Sequence, residues 1–101
     1  MAISRGVLIG SLIATALIGT AFAFDGEKYL PEASVTLAQA RETALKTYPG
    51  KIVSEELEKE SGGSGLRYSF VIRSHETKHE VGIDAKTGAV LENSVEGKTP
   101  D

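Results

Sequence analysis

The chain has 101 residues, room for one domain at most, a formal net charge of −3 and no cysteine. This composition excludes thiol redox chemistry, thiolate metal sites, disulfide staples and attachment through a lipid-modified cysteine. The mild acidity is spread along the sequence, which argues against a nucleic-acid footprint or an anionic-membrane binder.

Arg5 is the only charged side chain before Asp25. A short basic start, an apolar run rich in Leu, Ile and Ala, and then Ala21-Phe22-Ala23 describe an export signal over residues 1–23. Small residues at Ala21 and Ala23 suit a signal peptidase and place the cut after Ala23. The rival reading is a retained membrane anchor, and Gly10, Ser11, Thr15, Gly19 and Thr20 weaken it. The expected location is the periplasm or the exterior, free of the membrane once cut. A mature domain this small buries only about 60–65% of its unfolded surface, so its stability is modest unless a partner or a second copy covers more apolar area.

Residues 24–34 mix charge with Gly26 and Pro31 and show no period, which reads as a mobile leader. Thr36 then opens a helix. Its hydroxyl can accept from an early backbone amide while Gln39 reaches back to the Thr36 N–H, a capping box with Val35 as the apolar residue before it. Leu37, Ala40, Ala44, Leu45 and Tyr48 form one apolar face, with Arg41, Glu42 and Lys46 on the other side. Pro49 stops the helix and Gly50 is read as the reversal.

Lys51 to Glu60 has helical propensity in its Glu-rich half, yet Ile52 and Val53 and the need for a partner favour a strand. Leu66, Tyr68, Phe70 and Ile72 alternate with Arg67, Ser69, Val71 and Arg73, a half-buried strand. If Val53 and Leu57 face the core with Ile72 and Tyr68, opposed residue numbers sum to a constant. That register sets Glu58 across from Arg67 on the wet face and Glu55 inward against Phe70, a misfit that implies a bulge or another register. Lys78 to Asp84 forms the next strand, with Phe70 opposite Val81, Tyr68 opposite Ile83 and His75-Glu76 as the turn. Asp84 to Gly88 is a tight turn in which Asp84 bonds amides two residues on. A short strand over Ala89 to Val95 and a frayed tail over 97–101 finish the chain. The expected fold is α+β, with one N-terminal helix on one face of a four-stranded antiparallel meander spanning residues 35–96.

His75-Glu76-Thr77-Lys78-His79 matches the zinc-protease signature literally. That signature works on a helix, where residues four apart share a face and both imidazoles reach one ion. Here it straddles a hairpin, which reduces it to a minor metal candidate at His75 and His79. The run Glu55, Glu56, Glu58, Glu60 lacks a calcium-loop pattern and reads as a solvated strand face. Ser61-Gly-Gly-Ser-Gly65 joins strands and opens no helix, so it is no phosphate cradle. No catalytic residue, cofactor site or cofactor is expected.

Thr36-Leu-Ala-Gln-Ala, Ala44-Leu-Lys and Tyr48-Pro-Gly50, then Leu66-Arg-Tyr-Ser-Phe, then Glu80-Val-Gly-Ile-Asp84-Ala-Lys-Thr-Gly88-Ala-Val-Leu together resemble the PepSY domain. That family occurs in peptidase propeptides and in a bacterial spore-germination protein. The resemblance runs from Val35 to Val95. It implies a helix packed on an antiparallel sheet and a role in restraining a peptidase outside the cytoplasm. The matched residues are the skeleton of the fold, so no functional residue is carried over. The chain departs from the family pattern at His79, where an aromatic is usual, and at Ser74-His75-Glu76, where the turn usually contains Gly.

The preferred expectation is an exported, non-catalytic module that inhibits or modulates a secreted or periplasmic peptidase by steric, non-covalent binding. The contact is expected through an open sheet edge or a turn, with the turns at Ser61–Gly65, Glu76 and Lys86 as exposed candidates. The alternatives are a ligand- or metal-sensing module and a structural unit that forms a homodimer through its edge strands.

Overall fold

The computed structural model describes residues 24–97. The expected export signal over 1–23, its cut after Ala23 and the end of the tail lie outside them. The elements are β1 (Phe24–Asp25), a 3-10 segment (Glu27–Glu32), α1 (Leu37–Thr47), β2 (Lys51–Lys59), β3 (Leu66–Ser74), β4 (Thr77–Asp84) and β5 (Val90–Val95). The strands form one sheet in the order β1-β2-β3-β4-β5. β2 to β5 are an antiparallel meander, and β1 adds to β2 in parallel. The α+β architecture is as expected, with five strands in place of four.

The helix starts where its cap dictates. The Gln39 N–H donates to the Thr36 hydroxyl at 3.1 Å, and the Thr36 N–H donates to Gln39 Oε1 at 2.9 Å. Both Ser34 N–H and Val35 N–H donate to the Ala85 carbonyl at 2.9 Å, which ties the helix entry to the β4–β5 turn. The Tyr68 hydroxyl, on a fully buried ring, donates to the Val35 carbonyl at 2.7 Å. Ala40 and Ala44 are completely buried on the sheet-facing side; their small side chains let the helix lie close to Phe70, Ile72, Val81 and Ile83, which are buried as well. After the helix, Gly50 is needed for closeness. A Cβ there would strike the Arg73 carbonyl, and its backbone does not use the left-handed region that the reversal reading implied.

The strand register follows the alternation. Glu55 pairs with Phe70, Leu57 with Tyr68 and Glu58 with Arg67. β3 and β4 pair Phe70 with Val81 and Tyr68 with Ile83. The register slips by one between Ile52 and Ser54, so Ile52, not Val53, faces Ile72. Val53 is the extra residue of a bulge.

The inward Glu55 that looked like a misfit is satisfied from the helix. Arg41 Nε donates to Glu55 Oε1 at 2.9 Å and Arg41 Nη2 to Oε2 at 2.7 Å, a two-pronged pair whose carboxylate is 1% exposed. Arg41 therefore leaves the solvent side assigned to it and reaches down the flank of the helix to β2.

The segment read as a mobile leader, residues 24–34, carries defined elements. Phe24 lies beside Glu55 and Asp25 beside Glu56 in the parallel β1–β2 pairing. Gly26, at φ 94, turns the chain where any Cβ would collide with the Leu57 carbonyl. The 3-10 segment then brings Tyr29 and Leu30 onto the core. The pattern was invisible because two strand residues and six 3-10 residues are too few to show a period.

Replacing Arg41 by Met strands a buried carboxylate and lowers unfolding stability by about 3 kcal/mol. The double variant Arg41→Met/Glu55→Leu regains most of it. Urea denaturation of the three proteins measures the difference.

Candidate functional site

Among the described residues the turns, the outer sheet face and the outer edge of β5 are left uncovered. Two of the exposed turns converge. Asp84, 1% exposed, accepts from Ser64 N–H at 2.7 Å, from the Ser64 hydroxyl at 2.7 Å, from Lys86 N–H at 2.8 Å and from Thr87 N–H at 3.1 Å. The β2–β3 loop is thus no free linker; one carboxylate locks Ser61–Gly65 against the β4–β5 turn that contains Lys86. Burial alone would push the Asp84 carboxyl up. The bonds from Lys86, Ser64 and Thr87 outweigh it and hold the group at about 2.

The third turn lies at the opposite end. His75 and Glu76 form a two-residue hairpin between Ser74 and Thr77. His75 takes a φ of 59, so the turn closes without the glycine usual in the family, with histidine in a left-handed conformation. His79 sits on β4 opposite Ile72. Its ring stacks on Tyr48 at a centroid distance of 3.7 Å and 4° between planes, and its Nδ1 is 2.7 Å from Asn93 Oδ1. The imidazole therefore supplies the flat ring that an aromatic would have given, closing the C-terminal end of α1 on the sheet. His75 is exposed and His79 half-buried under Tyr48. The motif is strand and turn, and its two histidines have separate structural tasks. Among the described residues no group of three or more His, Asp or Glu is placed to hold a metal ion.

The outer face gathers charge that the sequence spreads out. Glu56 and Glu58 on β2, Glu80 on β4 and Glu92 on β5 project from it, while Glu55 of the same acidic run points inward. Arg67 stands opposite Glu58 but does not bond it. Its guanidinium lies across Gly82 and donates from Nη1 to Glu92 Oε1 at 3.2 Å. Glu58 accepts from the Ser69 hydroxyl at 2.7 Å instead. Burial pushes the Glu80 carboxyl up, and the charges of Glu92, Glu58, Glu60 and Glu96 add to the shift.

The β5 edge is the least protected part of the sheet. Among the described residues no strand pairs with its outer side. Val90 and Val95, 46% and 42% exposed, are the exposed large hydrophobic residues of the fold, and both belong to this strand. At the opposite edge β1 pairs with Glu55 and Glu56 in the middle of β2, and Lys59 at the end of that strand forms an ion pair with Glu32 at 3.0 Å. Sequence reasoning named the turns and sheet edges in general but not β5 in particular, because the strand order was open and a bulge between Gly82 and Ile83 decides which β5 residues face which way.

Two predictions follow from these contacts. Asp84 titrates lower folded than unfolded, so its stabilisation is complete above about pH 4 and is lost as pH falls toward 2, a contribution of about 2 kcal/mol. Thermal unfolding across that range should show the acid loss in the parent and a flattened profile in Asp84→Asn. Excess Zn²⁺ should leave the melting temperature unchanged, because His75 and His79 offer no shared site.

No helix of the described residues is long and apolar enough to cross a membrane. Comparison with curated proteins and with solved structures returned no match. The family model described as peptidase propeptide and YPEB domain matches residues 34–93, the stretch from just before the helix cap to the middle of β5. With the capped helix, the meander register and the Asp84 turn all inside that span, the chain belongs to the PepSY family.

Proposed function

We propose that the chain is an exported PepSY module that binds a secreted or periplasmic peptidase and restrains it sterically, without covalent chemistry. What supports the reading is the family match over residues 34–93, because the family is described by its place in peptidase propeptides. A module of this kind needs no reactive group. It needs a rigid edge or turn that lies across a substrate groove, satisfies its main-chain donors and acceptors, and keeps every peptide bond out of line for attack.

The geometry suits such a role in two respects. The end of the sheet formed by Ser61–Gly65 and the Asp84–Gly88 turn is held by four hydrogen bonds to one buried carboxylate, so it meets a partner with little ordering cost. The β5 edge offers main-chain groups that no other described strand pairs, beside two exposed valines.

The purified chain, added to the secreted peptidases of its own source, should lower their peptide-hydrolysis rates in a saturable manner while remaining uncleaved. Unchanged rates at large molar excess, together with no retention of any such peptidase on the immobilised chain, overturn the reading.

A further inference from the structure

We infer that β5 is a self-complementary edge through which two copies of the chain pair antiparallel, joining their sheets about a two-fold axis at Asn93. The backbone sets the register. The Glu96 N–H donates to the Lys78 carbonyl at 2.8 Å, and β4 and β5 continue this pairing as Glu80 with Ser94 and Gly82 with Glu92. In an antiparallel ladder every second residue turns its N–H and C=O to the same side. Glu92, Ser94 and Glu96 therefore bond β4, and Asn93 and Val95 present their donors and acceptors outward.

The side chains agree with that register. Val95 stands opposite His79 and Val90 opposite Ile83, so the bulge at Leu91 puts both valines on the face that carries α1, although they are five positions apart. When Asn93 faces Asn93 of a second copy, the two exchange both main-chain hydrogen bonds. Val95 then meets the Val90–Leu91 bulge of the other chain, and Glu92 meets Ser94, so no like charges oppose each other on the acidic face. The exposed valines of both copies form one apolar stripe beside the two helices. Two-fold symmetry uses the same patch twice, which is how one strand serves as both halves of an interface. The inference stands on the edge geometry and not on the identity of any target; a self-paired β5 competes with any peptidase that adds a strand there.

The test uses the chain as recovered from an exporting host, with its N-terminus read by mass spectrometry. Sedimentation equilibrium from micromolar to millimolar concentration should show a mass rising from monomer to dimer. Val95→Lys, at an exposed site, should weaken association by at least about tenfold, since each change acts twice across the axis. Asn93→Pro removes an outward N–H, keeps the main-chain bonds to β4 while losing the side-chain contact with His79, and should do the same, with melting curves confirming that both variants fold. The chain has no cysteine, so single-cysteine variants report the register directly. Asn93→Cys brings two Cα atoms to about 5.5 Å and should form an intermolecular disulfide quickly. Val95→Cys, about 13 Å from its symmetry mate, should not. A monomeric mass throughout the concentration range overturns the inference. So does a dimer indifferent to Val95→Lys and Asn93→Pro, or equal cross-linking at both cysteine positions.

Discussion

One helix of eleven residues has to roof a sheet of five strands, and the rest of the structure is arranged around that shortage. A helix is about 10 Å across and strands lie about 4.8 Å apart, so α1 cannot cover the whole sheet; it packs on β3, β4 and β5 and reaches β2 chiefly through Arg41. Toward β2 the deficit is met from the N-terminal side, where Tyr29 and Leu30 pack on the core, and from the helix itself, where Arg41 reaches Glu55. Toward β5 the helix makes its outermost contacts, and the two valines at the ends of that strand stay in contact with water. The margin of the roof therefore runs along β5, beside its exposed valines.

The Arg41–Glu55 pair also explains how an acidic residue comes to occupy the inner face of the sheet. A carboxylate there is costly unless fully bonded, and a guanidinium approaching along the helix flank supplies two parallel bonds at once. Such a pair adds less to stability than an apolar contact of equal volume, but it tethers the flank of the helix to β2 at a fixed distance. The Ala85 carbonyl, accepting from Ser34 and Val35, does the same for the helix entry. Between them they orient an element whose buried face is mostly alanine and offers little shape of its own.

What was readable in the chain was what is local or periodic. Thr36 and Gln39 are three residues apart and cap the helix as their spacing says. The alternation from Leu66 to Ile72 put Tyr68 and Phe70 inside, and matching it to Leu57 and Val81 recovered most of the strand register. The Asp84 turn was legible because its amide bonds span two and three residues. What escaped depends on groups far apart in sequence: Arg41 with Glu55, Ser64 with Asp84, Arg67 with Glu92 in place of Glu58. The bulges at Val53 and Leu91 escaped too, because one inserted residue leaves no mark on a pattern already mixed with polar side chains. The candidate surface was half legible. Its exposed turns follow from composition, whereas the β5 edge exists only once the strand order and the reach of the helix are known.

The Asp84 clamp has a consequence for how the chain matures. A small fold without sulfur bridges usually has to find some other way to keep distant loops from drifting, and here one buried carboxylate joins two of them through hydrogen bonds alone. Such a fastening forms once β3 and β4 pair and bring Ser64 beside Asp84. It calls for neither an oxidant nor an isomerase, and it reassembles after each opening with no wrong pairing to undo. The protein can reach its working shape in a reducing compartment or an oxidising one alike.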